Sequence, residues 1–536
     1  MRPTLPARSA DPTARAAALA HARTAYEYDF SYEGLAFLRS LPLREMFPPR
    51  YLAKGAEVTA RIAANRAASG IERLLERGGD GWSEMFAALP APLTLPVWRE
   101  DFCFAWQRLA GPCPILIRRA DVLPAALHDE DAARVVPGAT LASLAAKGRL
   151  FVADYAVFAG APAGETDGRA KHLWAPRVIF AADPALRGGL APIAIEIGEG
   201  GRETIYTPAD PDWMIARTAA QIADENLQGV LVHLGWCHLV VQRFIVSAHR
   251  QLAPEHPLMV LFAPHFELTL AVNQVARKSV VNPGGVQDRL LAPTIEAQAA
   301  LLRDSLATID LASLDPNVDF ARRGVADRES LPVYPFRDDS LLLWEATRAF
   351  VDGYLRLYYE SDADVAGDTE LAAMIREIGA EDGGRMPALV AEGPPRTVEQ
   401  VIDLAARVIF RATTYHAAIN DSNYDWAGYV PGVPTAGFAP LPPRGAGDAE
   451  RAAMLPPVEI GWETIQATYQ VAALHTNRLG EYPGDPFGAD PRVAPLLERF
   501  RAALASIETE IAARNATRPL PYRYLVPSTI TASINA

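Results

Sequence analysis

Five of the ten histidines in this 536-residue chain fall within 33 positions: His233, His238, His249, His256 and His265. Neutral imidazole carries a nitrogen lone pair at physiological pH and is the commonest metal ligand. Here the imidazoles interrupt an apolar run, Val232-His-Leu-Gly-Trp-Cys-His-Leu-Val-Val-Gln, that would bury them on a helix. A buried imidazole needs a partner, which is either a hydrogen bond or a metal. In an ideal α-helix, residues five apart lie about 140° apart around the axis, so His233 and His238 would diverge. They converge only if the helix widens into a π-bulge, a rare feature found mostly at functional sites. On this pair alone, packed core histidines and metal ligands are equally good readings. A second segment, Tyr415-His-Ala-Ala-Ile-Asn420, favours the metal, because His416 and Asn420 are four apart and share a helix face.

The elements that must hold these side chains are mostly helical. Residues 1 to about 90 read as a helical region, with Ala14 to Ala25 and Val58 to Glu76 rich in good helix formers and no alternating strands of a sandwich. From about residue 91 a larger unit begins. Short apolar runs at Leu150 to Tyr155, Val178 to Ala182 and Ile193 to Ile197 predict a small sheet. Thr207 to Gly229 leads into the central helix. Helices are then expected over Ile295 to Asp310, Leu341 to Tyr359, Glu370 to Ile378, Thr397 to Ile419 and Asp490 to Asn515, with an irregular Pro/Gly-rich connection from Gly432 to Pro457.

Composition limits the partners. A formal charge of -13 argues against nucleic acid, which calls for a basic patch. Met1 to Tyr26 lacks the plan of a secretory signal, and the apolar run Leu227 to Gln242 is shorter than a bilayer span. A soluble, cytoplasmic protein without a transmembrane segment is the expectation. Cys103, Cys113 and Cys237 give neither a disulfide framework nor a zinc site; Cys237 reads as a buried, inert thiol. The metallopeptidase motif His-Glu-x-x-His is absent.

The spaced set His233-x4-His238-x17-His256-x8-His265 with His416-x3-Asn420 resembles the signature of the lipoxygenases, non-haem iron dioxygenases of polyunsaturated fatty acids. The resemblance continues through Asn273-x2-Ala276-Arg-Lys-Ser, Tyr334-Pro-Phe-Arg-Asp-Asp, Tyr358-Tyr, Asp368-Thr-Glu and Pro521-Tyr-x2-Leu-x-Pro, from about Trp98 to the last residue. It implies a mainly α, lipoxygenase-type catalytic domain over 91–536 with a small β-sheet, the metal lying between a long central helix and a second helix. The N-terminal region 1–90 would replace the family's β-sandwich and could form a lid.

By the same resemblance, His233, His238 and His416 are metal ligands, Asn420 is a weak ligand, and the α-carboxylate of Ala536 closes the set. His249, His256 and His265 are then hydrogen-bonded packing residues. Mixed nitrogen and oxygen ligands with a position left for water suit iron, or manganese as the alternative, better than a closed zinc site. Asn423 stands where the family usually has a Gln that hydrogen-bonds near the metal's Asn. Ala276 occupies the position where Ala accompanies S products and Gly accompanies R products. Val280, Leu290 and Leu291 belong to the specificity set, the two leucines at positions that tune pocket depth. Val433 replaces a deep Arg of plant relatives, so the carboxylate is expected near the mouth. The implied reaction is abstraction of a hydrogen atom from a cis,cis-1,4-pentadiene by iron(III)-hydroxide, then O2 addition, giving S-hydroperoxides with 13S favoured over 9S from linoleate. The partners are a free C18 or C20 fatty acid and O2, and the chain is expected to be a monomer. Competing readings are a metal hydrolase, a hydroperoxide isomerase or epoxyalcohol synthase on the same fold, and a non-catalytic lipid-binding protein.

Overall fold

In the computed structural model, which describes residues 2–70, 81–199 and 202–536, the apolar run around His233 lies within a 39-residue helix, Trp213–Gln251. Nearly every residue from Trp213 to His249 is buried, as expected for a helix that is apolar all round. By length and composition it could cross a membrane, but 83% of its most apolar window is buried inside the protein. Several of its polar residues are satisfied locally. Arg217 donates to the carbonyls of Arg99 (2.6 Å) and Trp98 (2.8 Å), and Asp224 accepts from Tyr155 Oη (2.7 Å) and Gln107 Nε2 (2.8 Å). The helix stops at Leu252-Ala-Pro254, with Arg250 in its last turn, where positive charge suits the helix dipole.

Around this axis the chain lays the elements that matter for the site: α1 (Pro12–Ala25), α2 (Pro49–Ser69), α3 (Asp101–Ala110), the central α4 (Trp213–Gln251), α5 (Pro257–Phe266), α6 (Thr269–Ser279) and α7 (Pro335–Leu355). A second inner helix, α8, runs through three consecutive segments, Val398–Phe410, Arg411–Tyr415 and His416–Asn420. It is followed by α9 (Val458–Ala473) and α10 (Ala494–Asn515). Pro335 sits at the first turn of α7, which therefore starts six residues before the apolar periodicity that marks it in the sequence. The expected helix Val58 to Glu76 begins earlier, at Pro49, for the same reason; residues 71–76 of that expectation lie outside the described residues.

The first 70 residues are not purely helical. Tyr28–Asp29 (β1) and Phe37–Leu38 (β2) pair antiparallel, and Tyr26, Tyr28 and Leu35 to Leu38 pack into the same core as the central helix. The sheet has five antiparallel strands in sequence order: β3 (Arg118–Arg119), β4 (Leu150–Asp154), β5 (Arg177–Ala182), β6 (Leu190–Glu199) and β7 (Arg202–Tyr206). Phe151 faces Phe180 and Val152 faces Ile179. Phe151, Val178 and Phe180 join the main core, while Val152, Ile179 and Ala181 join a smaller cluster with Leu127 and Leu144 on the other face. Both faces are covered, so these strands read as continuous apolar runs instead of alternating ones.

Candidate metal centre and substrate cavity

The central helix is not α throughout. From Gln228 to Leu239 it is a π-helix, and α8 is widened in the same way over Arg411–Tyr415. With i to i+5 hydrogen bonding, five residues make about one turn, so His233 and His238 present their rings on one side. Their Nε2 atoms are 3.1 Å apart and their ring centroids 4.6 Å. The widened segments are tied together: Cys237 Sγ donates to Arg411 O (3.4 Å), and Gln228 Nε2 donates to Ile419 O (3.0 Å). This apposition brings His416 to 5.5 Å from His233 and 5.3 Å from His238, centroid to centroid. One ligating nitrogen from each ring lies within 4.8 Å of the others.

Burial holds His233 and His416 well below the ordinary imidazole range, helped by the neighbouring rings, and brings His238 down to about 4. All three are neutral at pH 7 and carry a lone pair. The tautomer of His238 follows from its neighbours. Asn273 Nδ2 donates to Gln242 Oε1 (2.8 Å) and to His238 O (3.3 Å), so its Oδ1 faces His238 Nδ1 at 2.8 Å and accepts that proton. Nε2 then faces the centre with its lone pair, the arrangement an outer hydrogen bond gives to a ligating histidine. Gln242 Nε2 is fixed in turn by Ala36 O (3.0 Å), on the N-terminal segment. The sequence singled out Asn273 as part of a motif without a role, and gave no signal for Gln242.

Two oxygens are further candidates for the donor set. Asn420 spends its Nδ2 on Asp421 Oδ1 (2.9 Å) and Val471 O (3.0 Å), which leaves its Oδ1 buried without a hydrogen-bond partner. The main-chain oxygen of Ala536 lies 3.3 Å from His416 Nε2. The tail that delivers it is docked. Ile530 and Ile534 are fully buried, Leu479 N donates to Ile530 O (3.0 Å), His265 Nδ1 meets Ala532 O (2.8 Å), and Tyr51 Oη donates to Asn535 O (2.9 Å). Three neutral imidazoles, an orphaned amide oxygen and a main-chain oxygen form a donor set that fits a mixed-ligand iron or manganese site.

The other histidines of the cluster lie elsewhere. His256 Nε2 is 3.0 Å from Asp368 Oδ2, His265 bonds the tail, and His249 stacks on Tyr26 (4.2 Å) with Arg44 Nη2 at 2.9 Å from its Nδ1. Cys237 is buried, and burial pushes its thiol up to about 12.

The three rings lie beside a cavity of about 470 Å³ whose wall includes His233, His238 and Ala536. Its walls are largely apolar, with Val272, Ala276, Val280, Leu290 and Leu291 among them, and Asn423 also lines it, its Oδ1 buried without a partner. Val433 is buried but does not line this cavity, so the site expected there from the sequence is not part of the wall. Phe47, Tyr51, Gly55 and Thr59 close one side, which puts α2 over the cavity. The exposed rim carries Thr59, Val275, Ser279 and Gln470; Glu225, Gln228 and Thr435 sit at the buried end.

An inner pair of widened helices thus carries three convergent imidazoles, able to hold a metal ion, beside a largely apolar cavity. The lipoxygenase family model matches residues 94–527, and the chain belongs to the lipoxygenase family. It is 35% identical over 495 residues to a linoleate 9/13-lipoxygenase of Pseudomonas aeruginosa, covering 86% of this chain and 71% of that protein. It is 33% identical over 460 residues to the polyunsaturated fatty acid lipoxygenase ALOX12 of Mus musculus, and 30% identical over 457 residues to the hydroperoxide isomerase ALOXE3 of Rattus norvegicus. Each of these alignments covers 82% of this chain, with 66% and 62% of the relatives respectively. The chain thus spans about two thirds of the length of its animal relatives. Among solved structures, an anaerobic crystal structure of a Delta413-417:GS LOX in complex with arachidonate superposes with a TM-score of 0.93 at 25% identity, covering all of this chain and 84% of that one. A coral 8R-lipoxygenase superposes at 0.91 and 25%, again over all of this chain and 83% of the other.

Proposed function

We propose that this protein oxygenates free polyunsaturated fatty acids of the linoleate type to S-hydroperoxides, using one iron ion held by His233, His238, His416, Asn420 and the terminal carboxylate of Ala536. The observation that carries the reading is the convergence of three neutral imidazoles, two of them on the wall of a cavity that is otherwise mainly apolar. The metal, when bound, supplies a one-electron acceptor for the hydrogen atom of the methylene between two cis double bonds. The protein's residues do the rest. Asn273 fixes the ring of His238, Asn423 offers a polar group on the cavity wall, and the apolar wall holds the acyl chain and keeps water from the reactive carbon.

Entry of the methyl end first is supported by charge. Among the described residues, no Arg or Lys lines the cavity, and an unpaired buried carboxylate costs several kcal/mol. Lys54 and Lys278 each adjoin a lining residue at the rim, Gly55 and Ser279, where a carboxylate stays in water. With Ala276 beside the reacting carbons, this orientation gives the 13S product from linoleate over 9S. Helix α2 acts as a lid over the entrance. Oxygen uptake with linoleate, metal analysis of the purified protein and chiral separation of the products test the reading together. Failure to consume oxygen while converting a fatty acid hydroperoxide would replace dioxygenation by the isomerase activity after which one group of its relatives is named.

A further inference from the structure

The buried end of the cavity is more polar than a hydrocarbon tail requires. Glu225 lies there, 5% exposed, and takes part in no hydrogen bond or ion pair with any described group. Its neighbour Asp224 is committed to Tyr155 and Gln107 on the other side of the helix. Thr435 Oγ1, Asn423 Oδ1 and Gln287 Oε1 also line the cavity and are buried without partners. Thr435 and Gln287 are held against one stretch of the central helix: Asn226 Nδ2 donates to Thr435 O (2.8 Å), and Gln287 Nε2 donates to Gly229 O (3.0 Å). Burying several unpaired oxygens beside an alkyl terminus is unfavourable, so a ligand group that hydrogen-bonds there is the compensating partner. With no Arg or Lys in the wall among the described residues, a carboxylate does not suit the place. Burial and the adjacent Asp224 raise Glu225 to about 8, so it is mostly the neutral acid at pH 7 and can donate as well as accept.

We propose that this end of the cavity is a subsite for an uncharged oxygen function, with Glu225 its principal partner, and that the protein accepts fatty acids already hydroxylated on the methyl-terminal half. The inference rests on the cavity being the fatty-acid site entered by the methyl end. Its substrates are the products of an earlier hydroxylation near the chain terminus that leaves the cis,cis-1,4-pentadiene intact.

The test compares 18-hydroxylinoleate with linoleate on the iron-loaded protein, by calorimetric binding and by kcat/KM. The unaltered protein should use the two acids within about threefold of one another, because the hydroxyl finds a partner at the buried end. In Glu225→Leu the ratio of hydroxy acid to linoleate should fall at least tenfold, whereas Glu225→Gln, which keeps a donor and an acceptor, should hold it. The 13-hydroperoxide should be the main product of the hydroxy acid. A tenfold preference for linoleate in the unaltered protein, an unchanged ratio in Glu225→Leu, or mainly 9-product from the hydroxy acid would overturn the subsite while leaving the oxygenase reading in place. If neither acid binds, the cavity reading itself falls and the subsite with it.

Discussion

Replacing Asn535 by Ala tests whether the docked tail holds the metal. Asn535 is 1% exposed, and its side chain is hydrogen-bonded through both its oxygen and its nitrogen. Its Oδ1 accepts from Thr476 N (3.0 Å) and Thr476 Oγ1 (2.8 Å), and its Nδ2 donates to Asn477 Oδ1 (3.0 Å) and Ser533 O (2.9 Å). At about 1 kcal/mol net for each hydrogen bond, the substitution weakens docking by on the order of 4 kcal/mol, or nearly three powers of ten. Two readouts follow. Amide exchange at Leu479, whose N–H is held by Ile530 O, should accelerate, and loss of iron to a chelator should speed up at least tenfold. A companion variant separates docking from ligation. One Gly appended after Ala536 leaves the Asn535 contacts intact but moves the final carboxylate by about 3.8 Å, farther than a metal–oxygen bond reaches. It should keep the exchange protection at Leu479 and still lose tight iron binding and turnover. If both variants keep iron at the original off-rate with full activity, Ala536 is not a ligand.

His416→Ala should lose metal affinity beyond the 10–100-fold typical of an outer partner, while His249→Gln should keep its iron, as elemental analysis after chelator challenge would show; equal iron in both would reject the ligand assignment. Ala276→Gly opens space on the cavity wall and should admit R product at the other end of the diene; chiral chromatography showing mainly R product from the unaltered protein would contradict it. Burial, with the Arg44 cation nearby, lowers His249 to about 3, and burial lowers His265 to about 4 against the pull of its bond to Ala532 O. Below pH 6.5 the unfolded chain binds more protons at these sites, so stability falls as pH drops from 6.5 toward those values. The loss is on the order of 1 kcal/mol apiece at pH 5.5. Urea midpoints at pH 7.0 and 5.5 measure it, and an unchanged midpoint would mean that these two rings are protonated without cost.

The inner helices were legible because their apolar runs are long, and the covered sheet because its strands are apolar on both faces. What could be read of the site was the side chains with unusual spacing: His233 and His238 at five demanded a widened turn, and Gln228–Leu239 is one. Less legible were contacts that join segments far apart in the chain. Asn273 reaches His238 across 35 residues and Gln242 reaches Ala36 across 206, and neither separation leaves a periodic trace. Glu225 was hidden for a different reason. An acidic residue in an Ala-rich helix reads as a solvated position, and only the fold, which sets it in one cavity wall with Thr435 and Gln287, shows otherwise. Val433 is buried outside the cavity wall, a placement that depends on packing between distant segments and leaves no trace in the local sequence.

The widened turn of the central helix couples the site to the rest of the core through a simple count. Removing one residue between His233 and His238 would restore ordinary α spacing, but it would rotate everything downstream by about 100°. Phe244, Ile245, Ser247 and Ala248, all packed away from water, would then face new neighbours. The wide turns are therefore held by the seating of the twelve residues after them, and the imidazoles are aimed by the fold as a whole. Insertions and deletions, more than substitutions, are the mutations from which this centre has no local route of recovery, so drift in length among related chains should be confined to the loops and absent from this helix.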